Sequence, residues 1–322
     1  VVTFRTGFGG DAAIDENAIP VTGYYASENF FKVFSFPLAK GDPDQVLKEP
    51  YSVVLSMDAA KKLFGDEDPV GKVIRFSDRG LIMFGITTKN KPVDLGEFTV
   101  TGVADKFPYS SHISFEILAS ISTLPSLVAQ DKIEDISNDW GHIWSTYNYV
   151  LLKKERDAEH LNSILSSIAE SQYAGRKDNE SEFAVQSMSE ITPGKLLSNP
   201  VTLRMPIEAL YFLGVLAAVV IFSACFNYTN LTVARSLTRA KEVGIRKVSG
   251  AVKRQIFFQF LSESVIMALL ALGLSYGLLQ LLKPAFLGLW INRYMNVSYS
   301  NDPMILLLFL AFSVFVGFIA GV

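Results

Sequence analysis

The sequence is poor in the residues that build disulfides and metal sites. Cys225 is its one cysteine, so no disulfide can form within the chain, and any part outside the cytoplasm must fold without one. Three histidines, His112, His142 and His160, are too scattered for metal-ligand spacing. No glycine-rich loop ends in Gly-Lys-Ser/Thr, so the sequence shows no P-loop. We therefore expect no catalytic residue, no metal and no cofactor in this chain.

Charge is divided unevenly between two halves of the chain. Residues 207–322 carry nine Lys/Arg and four Asp/Glu, a net charge of +5, whereas residues 1–206 carry 20 and 28, a net charge of −8. The acidic first half argues against a nucleic-acid partner, because phosphate backbones select basic surfaces. It is also long enough to bury a sizeable soluble core.

Three long stretches in the second half contain almost no charge. Residues 209–234 and 264–282 contain none, and residues 303–322 form a third apolar run. A helix of about 20 apolar residues spans a bilayer. The sequence therefore predicts an extracytoplasmic domain followed by an all-α membrane domain. The predicted domains are residues 1–200 and 201–322, and the predicted membrane helices are 206–233, 256–282 and 303–322.

A basic segment separates the first two apolar stretches. Residues 235–254 contain seven Lys/Arg and one Glu. Short loops rich in Lys and Arg stay in the cytoplasm, so we expect this loop inside the bacterial inner membrane and residues 1–205 outside it. Such an outer domain needs a segment that sends it across. We therefore expect a further membrane helix before Val1 and more chain after Val322.

The first half alternates short β-rich runs with amphipathic stretches, which predicts an α+β domain. One helix is well delimited: Ser56 can cap it and Gly65 can end it. Trp140 and Trp144 precede a β-rich run, and core packing is favoured over partner contact for both. The predicted strands are 19–25, 51–55, 73–76, 98–104 and 147–152, and the predicted helices are 27–34, 57–64 and 158–171.

The basic loop also has the pattern of a short helix. Residues 239–249 fit one helix that Gly250 would close, and Glu242 can pair with Arg246 four residues later. A short helix between two membrane helices suits a groove on a cytoplasmic partner. Orientation of the membrane domain alone is the other interpretation that the charges allow. The predicted apolar face of the short helix comprises Ala240, Val243, Gly244 and Val248.

Small residues recur at a spacing of four in the membrane helices. Gly273 and Gly277 form one pair, and Gly317 and Gly321 form another. Glycines at this spacing let helices approach closely, so we predict helix packing at these positions. Glu263 lies near the cytoplasmic boundary and should face protein or headgroups.

Two parts of the sequence resemble those of a known protein family. Residues 239–251, RAKEVGIRKVSGA, and 259–264, QFLSES, resemble the cytoplasmic loop and following helix of FtsX-like ABC transporter permeases. Residues 1–200 resemble the MacB-type periplasmic core domain found in that family. The landmarks are VTGY at 21–24, FFKVF at 30–34, GD at 41–42, VVLS at 53–56, LFG at 63–65, DPVGK at 68–72 and TGV at 101–103.

The resemblance implies a fold and a set of partners. It implies a ferredoxin-like βαβ subdomain, residues 1–20 with 97–200, and a mixed insert, residues 21–96. It implies dimerisation, or two such halves in one chain, on ATP-binding subunits that bind ATP and Mg²⁺, with the lipid bilayer and a possible periplasmic protein as further partners. The loop residues expected to contact the ATP-binding subunit are Arg239, Glu242, Val243, Gly244, Ile245, Arg246, Lys247 and Gly250.

The leading hypothesis is a permease subunit that converts ATP hydrolysis by another subunit into motion outside the membrane. Its output would be efflux, lipoprotein release or control of a cell-wall hydrolase. A membrane-anchored extracytoplasmic sensor is the alternative, although three membrane helices and a loop of about 20 residues argue against it. A secondary transporter would need polar residues near the middle of its helices, and these helices have almost none.

Overall fold

The computed structural model describes most of the chain as two compact units, Val1–Pro206 and Ile207–Val322. We call them the outer unit and the membrane unit and treat each by itself. The described residues are 1–82, 87–89, 91–106, 111–153, 157–174, 182–191, 193–194, 201, 206–288 and 302–321, and the side chains of 235–239 are outside the description.

The outer unit contains the predicted strands and helices in the predicted order, together with strands at 2–14, 38–40 and 117–120 and a helix at 124–129 that the sequence patterns did not delimit. The strands are β1 (Val2–Ile14), β2 (Asn17–Ala26), β3 (Leu38–Lys40), β4 (Ser52–Ser56), β5 (Val73–Asp78), β6 (Val93–Ala104), β7 (Ile117–Ser120) and β8 (Thr146–Tyr149). The helices are α1 (Phe30–Phe34), α2 (Met57–Phe64), α3 (Leu124–Ala129) and α4 (Asp157–Tyr173).

Six of these strands close into a barrel. The ladder runs β1-β2-β7-β4-β6-β5 and returns to β1, because β1 pairs with β2 along one edge and with β5 along the other. The pairs β2–β7 and β4–β6 are parallel and the other four are antiparallel. β3 adds to β6, and β8 adds to the first residues of β1. The barrel takes strands from both predicted subdomains, so the predicted division into 1–20 with 97–200 and 21–96 does not describe this sheet.

Alternation along the strands gives the barrel two apolar layers. The inner layer takes buried side chains from all six strands, with Phe8 stacked on Phe76 at a ring separation of 4.0 Å. The outer layer lies under α1, where Phe4 contacts Phe30. Successive side chains of a strand point to opposite faces, so every strand of the barrel can contribute to one layer or both.

Helix α2 shows how local sequence sets an element. Ser56 Oγ accepts a hydrogen bond from the Ala59 N–H at 3.2 Å, which satisfies a donor that the first turn leaves free. Gly65 follows Phe64 at a φ of 64° and ends the helix. Both features were predicted from the sequence and are confirmed. Leu63 and Phe64 bury against the barrel interior.

The membrane unit has three helices, α5 (Ile207–Val248), α6 (Lys253–Leu287) and α7 (Pro303–Gly321). Each contains a segment long and apolar enough to span a membrane: Ile207–Ala234, Lys253–Leu287 and Pro303–Ala320. Three long apolar helices therefore lie where the sequence predicts membrane helices. The sequence also predicts a short outer loop, 284–302, whose Trp290, Tyr294 and Tyr299 suit a membrane interface; these three residues lie outside the described part of the chain.

The prediction of a separate short helix in the loop 235–254 is wrong. Helix α5 continues without a break from its apolar segment to Val248. The sequence contains neither proline nor glycine between Gly214 and Gly244, so nothing forces the helix to end where it leaves the apolar segment. The loop between α5 and α6 is reduced to residues 249–252.

Candidate functional site at the basic tip

The basic tip, defined as residues 240–254, joins the end of α5 to the start of α6. Gly250 has a φ of 93°, as predicted for the residue that closes α5. Its N–H donates to Lys247 O at 3.1 Å, and the Ala251 N–H donates to Arg246 O at 2.9 Å. This pair of bonds is the Schellman motif, which satisfies carbonyls at a helix end. A side chain other than glycine would be strained there.

The start of α6 has its own cap. Gln255 Oε1 accepts a hydrogen bond from the Val252 N–H at 3.2 Å. Val252 has no side-chain acceptor, so this is one half of a capping box. Arg254 places its guanidinium 5.5 Å from the centre of the Phe258 ring, a cation–π distance. Both helix ends at the tip are therefore fixed by local contacts.

The end of α5 has two different faces. Glu242, Val243 and Arg246 line a cleft of about 120 Å³ against α6, whose contribution includes Gln259 and Phe260. We call these three residues the inward face. The predicted pairing of Glu242 with Arg246 is present as a salt bridge. The guanidinium of Arg246 also donates to Gln259 Oε1 on α6.

The opposite side carries exposed apolar groups. We define the outward face as Lys241, Gly244, Ile245 and Val248, which follow at helical spacing. Ile245 is 62% exposed and Val248 is 90% exposed. A Cβ built on Gly244 would meet nothing within 4 Å. The face predicted from the sequence grouped Val243 with Gly244 and Val248; the structure moves Val243 to the cleft and replaces it with Ile245.

The eight loop residues predicted to contact a partner are thus divided. Gly244, Ile245 and Lys247 are exposed, and Gly250 forms the turn. Glu242, Val243 and Arg246 turn toward α6. The side chain of Arg239 lies outside the described residues. Sequence spacing could not separate the two faces, because the position of α6 decides which side of α5 is covered.

The glycines predicted to pack helices also differ from one another. A Cβ on Gly317 of α7 would lie 2.8 Å from Val265 Cα and 3.2 Å from Ser264 O, so α7 approaches the α6 backbone closely at that point. A Cβ on Gly273 or Gly277 would meet nothing within 4 Å in the described part of this chain. Packing at those two positions stays a prediction. The surroundings of Gly321 are outside the description.

A polar contact joins α5 and α6 within the membrane unit. Tyr228 Oη lies 3.0 Å from Ser264 Oγ, and Ser264 Oγ also donates to Phe260 O at 3.0 Å. Burial leaves Ser264 about 5% exposed. Sequence inspection did not single out this pair, since one tyrosine and one serine 36 residues apart carry no spacing signal.

Three histidines and two tryptophans that the sequence singles out lie in the outer unit. Among the described residues no three His, Cys, Asp or Glu side chains cluster closely enough to bind an ion. His112 instead contacts Tyr149, with Nε2 and the hydroxyl 2.9 Å apart. Trp140 and Trp144 are 40% and 55% exposed, so the prediction that both pack in the core is wrong. Both tryptophans lie in an exposed segment of turns and bends that precedes β8.

Burial affects the ionisation of two tyrosines in the outer unit. Desolvation raises the pKa of Tyr24 to about 12, because a buried phenolate loses its hydration. Tyr25 is shifted in the same direction, mainly by burial and further by the nearby Asp78, so its pKa is also raised. Both side chains therefore stay neutral at physiological pH and act as packing groups.

Comparison with known proteins gives two family matches that together cover most of the chain. Residues 1–168 match the MacB-like periplasmic core domain. Residues 214–322 match the FtsX-like permease C-terminal domain. The boundary between the matches contains the division between the outer and membrane units.

Individual relatives agree with these matches. The macrolide export ATP-binding/permease protein MacB of Neisseria gonorrhoeae is 22% identical over 291 residues, covering 86% of this chain and 37% of that protein. MacB of Agrobacterium fabrum is 24% identical over 315 residues, covering 92% and 41%. The ABC transporter permease YknZ of Bacillus subtilis is 25% identical, covering 70% and 48%. The chain thus spans about two fifths of the MacB proteins.

Among solved structures, the periplasmic region of MacB from Actinobacillus actinomycetemcomitans is similar at 22% identity. The match has a TM-score of 0.33 and covers 52% of this chain and 66% of that one. The family matches carry the assignment, since one of them alone spans residues 1–168 of 322. The chain belongs to the ABC transporter permeases that combine a MacB-like periplasmic core domain with an FtsX-like membrane domain.

Proposed function

We propose that this chain is the permease subunit that couples ATP hydrolysis by a separate ATP-binding subunit to motion of its extracytoplasmic domain. ATP and Mg²⁺ bind to that partner, and a second permease copy, or a second half of the same chain, completes the assembly. The motion drives efflux, release of a lipoprotein or control of a cell-wall hydrolase, with a periplasmic protein as a further partner.

The outward face of the basic tip is the observation that carries this proposal. Ile245 and Val248 are exposed on the last turns of α5, beyond the apolar segment Ile207–Ala234. Val252 in the turn is 57% exposed as well. Apolar side chains at a basic, water-facing helix end are stabilised when a partner covers them. A groove on an ATP-binding subunit would bury these groups, as amphipathic helices are buried in other complexes.

The continuity of α5 supports transmission of motion. A helix of 42 residues is about 63 Å long along its axis, and its backbone hydrogen bonds run unbroken from the tip into the apolar segment. A displacement of the tip therefore moves the membrane segment without a flexible joint between them. A separate short helix, as the sequence predicted, would require such a joint.

Docking can be tested by making the outward face polar. Val248→Glu places a charge where an apolar contact is expected, whereas Val73→Glu makes the same change on a 47% exposed valine of the barrel. With an ATP-binding subunit that the wild-type chain binds, we expect Val248→Glu to weaken complex formation at least tenfold in a pull-down titration from nanodiscs. Val73→Glu should bind as wild type does. Equal binding by both variants would refute docking at this face.

Topology is a second testable part of the proposal. We propose that residues 1–205 lie outside the inner membrane and the basic tip inside, on the excess of Lys/Arg at the tip. In a Cys225→Ser background, Glu170→Cys should react with an impermeant thiol reagent in intact spheroplasts, and Ser249→Cys should react after lysis alone. The reverse pattern would exclude contact between the tip and a cytoplasmic ATPase.

A ligand-binding sensor is the second candidate function, and one feature favours it. The outer unit contains an open groove of about 970 Å³ between β8, α4 and residues 183–191, with apolar walls that include Leu151, Leu161 and Leu165. Small-molecule sites have volumes of about 300–1,000 Å³ and mostly apolar walls. Titrating the excised outer unit with N-phenyl-1-naphthylamine would test it: a sensor site should give saturable fluorescence that Leu161→Glu abolishes.

The ferredoxin-like subdomain also remains a proposal. Strand β8 followed by helix α4 supplies a β-strand and a helix in the expected order. A returning strand would fall between residues 175 and 205, most of which lie outside the described part of the chain. An experimental structure of the outer unit that shows no strand there would exclude the βαβ assignment.

A further inference from the structure

The elbow between α5 and α6 is short and contains a glycine. Residues 249–252 connect the helices, and Gly250 sits at a φ of 93°. Local hydrogen bonds fix each helix end, but those from Gly250 and Ala251 return to α5 and that of Gln255 stays within the start of α6. None of them sets the angle between the two helices.

One side chain near the elbow connects both helices. The guanidinium of Arg246 donates through Nη1 to Gln259 Oε1 on α6 and through Nη2 to Glu242 Oε1 on its own helix. Glu242 orients the guanidinium, since a carboxylate one turn earlier accepts from one edge of the planar fork. The other edge then points across the cleft. A planar group with fixed donors can hold two acceptors at once, which a lysine ammonium does less precisely.

The cleft around the guanidinium is lined by both apolar and charged side chains. Apolar side chains of Val243, Ile256 and Phe260 wall the cleft beside it. The guanidinium is not buried, since the side chains of Arg246 and Glu242 are 44% and 55% exposed. Glu263 lines the same cleft and adds a second carboxylate to its walls.

We propose that Arg246 is a positioning residue that braces the elbow by linking Glu242 of α5 to Gln259 of α6, instead of contacting the ATP-binding subunit. The functional consequence of this inference rests on the proposed function. If a partner displaces the outward face, the brace makes α5 and α6 move together. The brace itself belongs to the chain alone and is testable without any partner.

Lys247 provides a matched control. It is the neighbouring residue, it carries the same charge, and its side chain makes no hydrogen bond or ion pair among the described residues. Arg246→Met and Lys247→Met therefore remove one positive charge each from the same helix turn. A difference between them reports the contacts of Arg246, because their effect on membrane orientation and on long-range electrostatics is the same.

The test measures the spread of distances between α5 and α6 by double electron–electron resonance. Nitroxide labels are placed at Lys241→Cys on the outward face and Leu274→Cys, a 77% exposed residue of α6, in Cys225→Ser protein in nanodiscs. We expect Arg246→Met and Gln259→Leu to broaden the distance distribution about twofold, and Lys247→Met to leave it at the wild-type width. Arg246→Lys should lie between wild type and Arg246→Met.

The double variant decides whether Arg246 acts through Gln259. Arg246→Met with Gln259→Leu should be no broader than either single variant, because both remove the same link. Wild-type width in Arg246→Met, equal broadening by Lys247→Met, or additive broadening in the double variant would each overturn the brace. Failure of docking in the Val248→Glu experiment leaves this result unaffected, so the two proposals fail separately.

Discussion

The outer unit and the membrane unit place the same types of apolar side chain in opposite environments. Phe8 of the barrel is 1% exposed and stacks on a second ring, whereas Phe222 of α5 is 68% exposed. The barrel completes its apolar core within one chain, so it needs no partner to be stable in water. The helices leave their apolar surface to lipid or to other helices, where packing replaces the hydrophobic effect as the source of association. We therefore expect the outer unit to be stable without a partner, and we do not expect this of the membrane unit.

The largest expected effect comes from the barrel core. Phe8→Ala removes a ring that contacts Phe76, Tyr25 and Phe98. Loss of the buried surface and the cavity left behind should lower the free energy of unfolding of the outer unit by about 3–5 kcal/mol. Urea titration of excised residues 1–206, followed by circular dichroism, measures it. Val73→Ala at an exposed position should cost less than about 0.5 kcal/mol, and similar costs for both would mean that the barrel is not a closed core.

Alkaline pH should affect the outer unit through its buried tyrosines. The pKa of Tyr24 is raised to about 12 in the folded state, against about 10 in the unfolded chain. The stabilisation is complete below pH 10 and is lost as the pH rises toward 12, because the unfolded chain releases the proton first. Between pH 9 and 11.5 this tyrosine accounts for about 2 kcal/mol of lost stability. Tyr24→Phe should show a correspondingly smaller loss in urea titrations at the two pH values; an unchanged loss would place Tyr24 in contact with water.

Within the membrane unit, Gly317 and Gly273 should respond differently to a larger side chain. Gly317→Leu forces a side chain into the backbone of α6 and should destabilise the α6–α7 contact by about 1–3 kcal/mol. Gly273→Leu has open space in the described part of this chain, so the single chain should tolerate it. Thermal midpoints of the full chain in detergent test the pair. A lower midpoint for Gly273→Leu at dilutions where the protein is monomeric would contradict the structure.

The smallest effect is expected at the cap of α2. Ser56→Ala removes the acceptor for the Ala59 N–H and should cost about 1 kcal/mol in the excised outer unit. Ser56→Asp keeps an acceptor and should retain most of the stability. Urea midpoints at neutral pH compare the three proteins, and equal midpoints for the alanine and aspartate variants would show that the cap contributes nothing.

Local features could be predicted because nearby residues determine them. The cap at Ser56, the end at Gly65 and the turn at Gly250 each depend on one residue type with a known backbone preference. The three apolar helices follow from composition and length alone. These predictions needed no knowledge of what lies across the chain, and the structure confirms them.

Features that depend on distant partners could not be predicted. Strand patterns identify β2 and β5 but do not say which strands they pair with, so the barrel was missed. The split of the basic tip into two faces depends on Gln259, which is 13 residues from Arg246 and on another helix. One error had a local signal: the absence of proline and glycine between Gly214 and Gly244 favours the continuous α5 over a separate helix.

Closure of the barrel has a consequence for how the outer unit acquires its structure. Strand β1 begins at Val2, yet its neighbours β5 and β8 begin at Val73 and Thr146. Strand β2 pairs with β7, which begins only at Ile117. Contacts between residues so far apart in sequence form slowly, because a long loop must close before it is stabilised. With the proposed topology, the first strands would emerge outside the membrane before their partners. We therefore expect a lasting unfolded interval during export, when chaperones and proteases outside the membrane compete for the exposed β1–β2 hairpin.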